Sequence, residues 1–382
     1  MKRTGKKVLG VLMALVLFLI GGNSMPVSAV SADELTAKAA LLMDAGTGQV
    51  LFEKNAHEAR PIASVTKVMT LLLIMEEIDS GRLSLSDTVT ASAHAAGMGG
   101  SDIWLEEGET MTVDDMLKAI VIMSANDAAV ALAEKIAGSE DAFVQRMNER
   151  AKELGMNDTV FKNCCGLDED GHVSSAYDVA LMSRELIGHD KIFDYTTTWM
   201  DSVRDGATQL VNTNRLIRTY TGITGLKTGT TSQAGSCMTA TAQRDGMTLI
   251  AVVLGADTSA LRFSEAATLL DTGFAGWSSV KPEIAKVGSL PVTGGMESEV
   301  ELKVEECPSL LIEKGREGEL KQTVHLPESL QAPVDTKTII GRVTVTLGET
   351  QLVSLPIYAA REVEAVSWDK IFFLLLENLG TF

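Results

Sequence analysis

The sequence predicts an α+β chain with two folded domains and a terminal amphipathic helix. Three observations carry that expectation. From Ala40 to about Trp277, strand-like apolar runs at both ends enclose a series of helical runs punctuated by glycine. Beyond Ser279 the pattern changes to period-two alternation, and residues 368–382 return to a single helical stripe. At 382 residues the chain is long enough for two separate cores.

Residues 1–32 read as a secretory signal peptide. Lys2, Arg3, Lys6 and Lys7 form a basic head, Val8 to Ile20 an apolar run, and Val27-Ser28-Ala29 and Val30-Ser31-Ala32 two small-residue cleavage sites. The apolar run is shorter than the ~20 residues a membrane span needs. Export is therefore expected, with cleavage after Ala29 or Ala32.

The first domain, residues 33–279, opens with two apolar runs around a Gly-rich turn between Leu41 and Phe52, a hairpin signal. Pro61 to Thr70 starts an apolar helix reaching about Ile78. Gly81 ends it, and His94 to Ser101 is a polar, Gly-rich loop. Thr112 caps the next helix, with Asp115 as the acidic partner of a capping box. That helix runs into Met123 to Asp127, and an alanine-rich helix follows to Ala137. Helices are also predicted over Ser139 to Leu154 and Ser175 to Ile187, with a loop from Asn163 to His172 between them. Gly222 to Thr231 is a Gly-punctuated strand, and β-rich runs follow at Ser236 to Ala242 and Met247 to Leu254. A helix beginning at Arg262 carries the chain to about Trp277.

The second domain, residues 280–362, alternates at Val300, Leu302 and Val304 and again at Val343, Val345 and Leu347, and reads as all-β. In the tail, residues 363–382, Trp368, Ile371, Phe372, Leu375, Leu379 and Phe382 fall on one helical face. Such a helix lies in a membrane interface or packs on protein, and its acidic residues weaken its attraction to anionic lipid.

The formal charge is −18, and −22 once the four basic leader residues are taken away. That balance argues against nucleic acid as a partner, and an anionic substrate would need a local positive pocket. Cys164, Cys165, Cys237 and Cys307 lack the Cys-x-x-Cys spacing of a zinc or redox site. They read as free thiols or buried small side chains, with a bridge between distant cysteines left open. His57, His94, His172, His189 and His325 are scattered, which argues against a Ser-His-Asp triad and against a metal site. No cofactor is expected.

Ser64 and Lys67 stand three apart, so on a helix the amine can reach the hydroxyl. A serine needs a base, and an amine in a poorly solvated pocket can be one. Read alone, the spacing also describes an exposed helix pair. Ser124 and Asn126 lie where two apolar helices meet, as internal caps or as site residues. Glycines around Lys227 leave backbone free for a ligand along the strand, or the lysine protects a plain edge.

Together, Ser64-x-x-Lys67, Ser124-x-Asn126 and Lys227-Thr228-Gly229 form the trio of penicillin-interacting serine enzymes. The mature chain resembles the low-molecular-mass penicillin-binding proteins, the serine-type D-Ala-D-Ala carboxypeptidases. Asp44-x-x-Thr47-Gly48, Gly166-Leu167, Gly171-His172, Ser175-Ala176-x-Asp178 and Arg262 match that family as well. The resemblance implies a β-lactamase/DD-peptidase-like domain, with an antiparallel sheet flanked by helices, then a β-sandwich and a membrane-anchor helix at the outer face of the cytoplasmic membrane. It implies a peptidoglycan stem peptide ending in D-Ala-D-Ala as substrate and β-lactams as covalent inhibitors. Ser64 would be the nucleophile, Lys67 its base and Ser124 the proton relay. Asn126, Lys227, Thr228, Thr230 and Arg262 would bind substrate, Thr230 through its amide alone. Cys164, Cys165 and Cys237 depart from the family pattern.

Two other readings remain at this point. A class A-like β-lactamase would use Asp168 or Glu169 to activate the deacylating water, although such enzymes lack the second domain. A wall-binding or penicillin-sensing module would keep the fold but lose a member of the trio, and none is lost.

Overall fold

The computed structural model describes residues 31–372. The N-terminal hairpin pairs β1 (Ala39–Asp44) with β2 (Val50–Lys54). Asp44 closes its turn by accepting from the backbone N–H and the hydroxyl of Thr47, both at 2.7 Å, and Gly48 supplies a φ of 76°. A 3₁₀ turn, Ala63–Thr66, feeds α1 (Lys67–Asp79). Every residue of α1 from Lys67 to Met75 is buried, so this is a core helix surrounded by protein.

A two-stranded ribbon, β3 (Thr88–Thr90) and β4 (Thr110–Thr112), leads into α2 (Val113–Lys118), whose cap is the expected Thr112 accepting from Asp115 N at 3.1 Å. The helix then widens into a π turn, Ala119–Met123, and stops at Ser124. Next come α3 (Asn126–Ala137), α4 (Glu140–Glu153) and α5 (Ala176–Leu186), the last two capped by Ser139 and Ser175. No periodicity in the sequence marked the second ribbon, β5 (Met200–Val203) with β6 (Thr208–Val211); strands of four residues are too short to display it.

Strands β7 (Ile223–Thr231), β8 (Gly235–Arg244) and β9 (Met247–Ala256) complete a five-stranded antiparallel sheet of order β2-β1-β9-β8-β7. Alternate residues of β1 serve two cores. Ala39, Leu41 and Met43 join the cluster built with α1, α3 and α5, while Ala40 and Leu42 join the one under α6 (Ser259–Gly276). Each fully buried Leu or Met in these layers contributes ~1.5–3 kcal/mol over its exposed state. The helix expected to begin at Arg262 begins at Ser259, because the Thr258 hydroxyl caps it by accepting from Leu261 N at 3.2 Å. Arg262 thereby sits in the first turn of α6.

Strand β10 (Trp277–Val280) leaves α6 for an all-β segment containing β11 (Ser289–Thr293), β12 (Glu299–Val304), β13 (Leu310–Glu313), β14 (Leu320–His325), β15 (Leu330–Gln331), β16 (Gly341–Leu347) and β17 (Thr350–Ala359). Strands β10 and β13 pair, and the others form a six-stranded sheet of order β14-β16-β17-β12-β11-β15. Its pairs are antiparallel except β11 with β15. Val343, Val345 and Leu347 point inward, as their alternation predicts.

Residues 368–372 are helical, with Trp368 88% exposed. The remainder of the predicted tail helix, like residues 1–30 of the predicted leader, lies outside the described residues. Among the described residues no helix is long and apolar enough to cross a membrane.

Candidate active site

Lys67 opens α1 with its side chain fully buried. Its Nζ stands 3.2 Å from Ser64 Oγ, 2.5 Å from Asn126 Oδ1 and 2.9 Å from the carbonyl of Cys165. Burial pushes the amine below its usual pKa of 10.5, against the opposing influence of Cys165, Cys164, Asp102 and Asp127. An amine that has lost its proton keeps a lone pair 3.2 Å from a hydroxyl, the arrangement that general-base activation requires.

Ser124 lies just past the π turn in the left-handed conformation, φ 65° and ψ 29°. Its Oγ is buried and has no hydrogen-bond partner among the described residues. An unmet buried hydroxyl costs ~1–3 kcal/mol, a reservation that a ligand can fill. Asn126 is fixed on every side. Its N–H donates to Ser101 O and its Nδ2 to Gly99 O, both at 2.6 Å, while Oδ1 accepts from Lys67.

Asp127, passed over in the sequence, anchors the same loop. Its carboxylate accepts from the N–H groups of Ile103, Leu105 and Ala128 at 2.8–3.2 Å. An acid in the first turn of a helix, where free N–H groups gather, was the available signal.

The other wall is β7, the edge strand that the glycines around Lys227 implied. Lys227 is 1% exposed and donates to Thr228 O at 2.9 Å. Burial holds it well below the ordinary lysine range, with the charges of Lys67 and Arg262 adding to the effect. The Thr228 hydroxyl donates to Thr213 Oγ1 at 2.8 Å, and Thr213 N donates to Ile122 O at 3.1 Å, tying the strand to the π turn.

Arg262 reaches β7 from α6. Its Nη1 donates to Gly229 O at 2.9 Å and to Thr230 Oγ1 at 2.8 Å, its Nε is buried without a partner among the described residues, and burial lowers its pKa to about 10. The Thr230 hydroxyl is therefore engaged, where the sequence reading gave a role to the amide alone.

Two glycines bring these walls together. A Cβ at Gly229 would lie 2.7 Å from Ser64 N, and one at Gly166 would lie 1.9 Å from Ala63 O. Behind Gly166, buried His172 accepts from Lys162 N at Nδ1 (3.0 Å) and faces Thr66 Oγ1 with Nε2 (2.8 Å). Burial lowers its pKa to about 4, so the ring is neutral.

The loop carboxylates that a lactamase would need are exposed and engaged at the surface. Asp168 accepts from Ser232 Oγ at 3.2 Å and Glu169 from Asn163 Nδ2 at 3.1 Å. All four cysteines are free and buried, so no bridge joins distant ones.

Two family models match the chain consecutively: D-alanyl-D-alanine carboxypeptidase over residues 26–258, and the penicillin-binding protein 5 C-terminal domain over residues 283–365. The chain is 42% identical over 334 residues to the D-alanyl-D-alanine carboxypeptidase DacF of Bacillus subtilis, spanning 86% of each chain. It is 36% identical over 346 residues to DacC of Escherichia coli, spanning 88% of this chain and 86% of that one. Penicillin-binding protein 5 of Haemophilus influenzae superposes with a TM-score of 0.76 at 30% identity, covering 88% of this chain and 99% of that chain. Penicillin-binding protein D2 of Listeria monocytogenes, solved in its ampicillin-bound form, gives 0.58 at 36% identity over 63% of this chain and 98% of its own. The chain belongs to the D-alanyl-D-alanine carboxypeptidases, the penicillin-binding serine peptidases that act on peptidoglycan.

Proposed function

We propose that the carboxypeptidase reaction runs through an acyl-enzyme on Ser64. Its Oγ attacks the carbonyl of the penultimate D-alanine as Lys67 takes the hydroxyl proton. The C–N bond breaks, Ser124 relays a proton to the leaving amine, and the terminal D-alanine departs. Water then hydrolyses the ester. Asn126 orients Lys67 and the peptide amide, while Lys227 and Thr228 receive the terminal carboxylate. Arg262 braces β7 from behind and lends positive charge. The N–H groups of Ser64 and Thr230 serve as the oxyanion hole, where one donor is worth ~3 kcal/mol of barrier.

The observation that carries these roles is a fully buried amine 3.2 Å from Ser64 Oγ, with an unpartnered Ser124 hydroxyl in the adjoining π turn. The test is release of D-alanine from a pentapeptide ending in D-Ala-D-Ala, together with labelling by a fluorescent penicillin. Ser64→Ala should abolish both. Lys67→Arg keeps the charge but cannot give up its proton, and should not be labelled. Appreciable labelling of Lys67→Arg overturns the base assignment, and labelling of Ser64→Ala moves the nucleophile elsewhere.

We assign residues 33–279 to the catalytic domain and 280–362 to a β-sandwich. The leader, residues 1–32, directs export, and residues 363–382 hold the enzyme on the outer face of the cytoplasmic membrane. Exposed Trp368 at the start of that helix supports the interfacial reading. Co-sedimentation of the chain with lipid vesicles, set against a chain ending at residue 362, tests it; equal partition of the two overturns it.

A further inference from the structure

Adjacent Cys164 and Cys165 look unlike a metal site in the sequence because they lack the Cys-x-x-Cys spacing and no histidine cluster accompanies them. Helix α4 supplies a third ligand. A carboxylate oxygen of Glu140 and the sulfurs of Cys164 and Cys165 all lie within 4.8 Å of one another. The two sulfurs are 3.7 Å apart. Two zinc–sulfur bonds of ~2.3 Å at a tetrahedral angle place their sulfurs about 3.8 Å apart. The pair is thus already set at the edge of such a tetrahedron, and thiolate ligands select zinc-class cations over magnesium or calcium.

The surroundings fit as well. Glu140 is fixed by accepting from Cys164 N at 3.0 Å and from His94 Nε2 at 2.8 Å. The His94 side chain is 55% exposed and that of Glu140 13%, while both cysteines are buried, so the imidazole and the carboxylate are the members of the cluster that solvent reaches. The carbonyl of Cys165 accepts from Lys67 Nζ and that of Cys164 from Thr70 Oγ1 at 2.7 Å. A shift of either cysteine on taking a ligand moves the groups that seat the catalytic amine.

We propose that Glu140, Cys164 and Cys165 form a binding site for one zinc-class divalent cation, and that its occupancy is felt at Lys67 through the Cys165 carbonyl. Binding forms two metal–sulfur bonds and one metal–oxygen bond, and each thiol releases its proton to solvent.

Cadmium titrated into the reduced full-length chain is the probe. The expected result is one ion per chain with the ultraviolet charge-transfer absorption of two thiolates, displaced by zinc. Glu140→Gln should weaken binding at least ~10-fold, Cys164→Ala and Cys165→Ala should each remove half of the absorption or more, and Cys237→Ala and Cys307→Ala should leave it intact. Absence of the band, a one-sulfur band in the unaltered protein, or a band of undiminished intensity in Cys164→Ala overturns the site. If the Cys164 and Cys165 variants do not fold, the intensity in the unaltered protein still counts the sulfurs. The loaded protein should be labelled by fluorescent penicillin ~10-fold more slowly, and unchanged labelling overturns the link to Lys67.

Discussion

Gly229→Ala tests whether β7 fixes the position of Ser64. A Cβ at this position would meet Ser64 N at 2.7 Å, Ala63 Cβ at 2.9 Å and Ile62 O at 3.0 Å. Two of these are backbone atoms, and Ile62 and Ala63 are buried, so no flexible side chain can swing aside. Ordinary contact begins near 3.4 Å, and the strand and the 3₁₀ turn must therefore separate by about 0.7 Å. Because a misplacement of ~1 Å can cost ~10²-fold, acylation should fall by roughly 30- to 100-fold. Overpacking of this kind costs ~1–3 kcal/mol, enough to lower Tm without unfolding the domain. The assay is the second-order rate constant of labelling by a fluorescent penicillin, paired with a melting curve. Gly276→Ala is the control, since a Cβ there meets nothing within 4 Å. A Gly229→Ala enzyme acylating within about threefold of the unaltered one would refute the idea that the strand sets the position of Ser64.

Three further outcomes are expected. Ser124→Ala removes a buried hydroxyl that has no partner among the described residues, so stability should hold or rise, by up to ~3 kcal/mol, with Tm following, while D-alanine release falls ~10²–10⁴-fold; a lower Tm with full activity would contradict both. The acylation rate should rise with pH along a limb centred below lysine's usual 10.5, because Lys67 must lose its proton, whereas affinity for a carboxylate-bearing peptide should fall as the depressed Lys227 loses its own. A carboxamide-capped peptide should lack that second limb, and identical profiles for the two peptides would remove Lys227 from carboxylate binding. His172 binds its proton more weakly in the folded protein, at about 4 against the usual 6.5, so the unfolded chain takes up more protons between those values. Stability should accordingly decline as pH falls through that window, by up to ~3 kcal/mol, and level off below it; His172→Gln should flatten the slope in acid titrations followed by circular dichroism.

The parts of the site legible in the sequence are those written as side-chain types at helical or strand spacing. Ser64 with Lys67, the glycine-bounded β7 and the caps Thr112, Ser139 and Ser175 all express local rules. What was not legible depends on backbone atoms and on distant approach. Lys67 is seated partly by the carbonyl of Cys165, and a carbonyl leaves no trace in residue identity. The left-handed turn at Ser124 follows from a π turn whose residues, Ala119–Met123, read as plain apolar helix. The sequence presents Arg262 as a substrate cation, and its contacts with Gly229 and Thr230 depend on the packing of α6 against the sheet. Glu140 near Cys164 joins residues 24 apart in sequence, beyond any spacing rule.

Gly229 and Gly166 have a second consequence, for the lifetime of the inhibited protein. They make the site a seam: Ser64 to Asn126 stand on the helical layer, Lys227 to Thr230 on the sheet edge, and Arg262 on the opposite helix. A penicillin esterified to Ser64 with its carboxylate against β7 would act as a rivet between the helical layer and the sheet edge. Local opening along that seam is a route by which proteases reach a folded chain. The enzyme silenced by an antibiotic should therefore outlast the active enzyme under proteolytic attack, so that inactivation and persistence become one event.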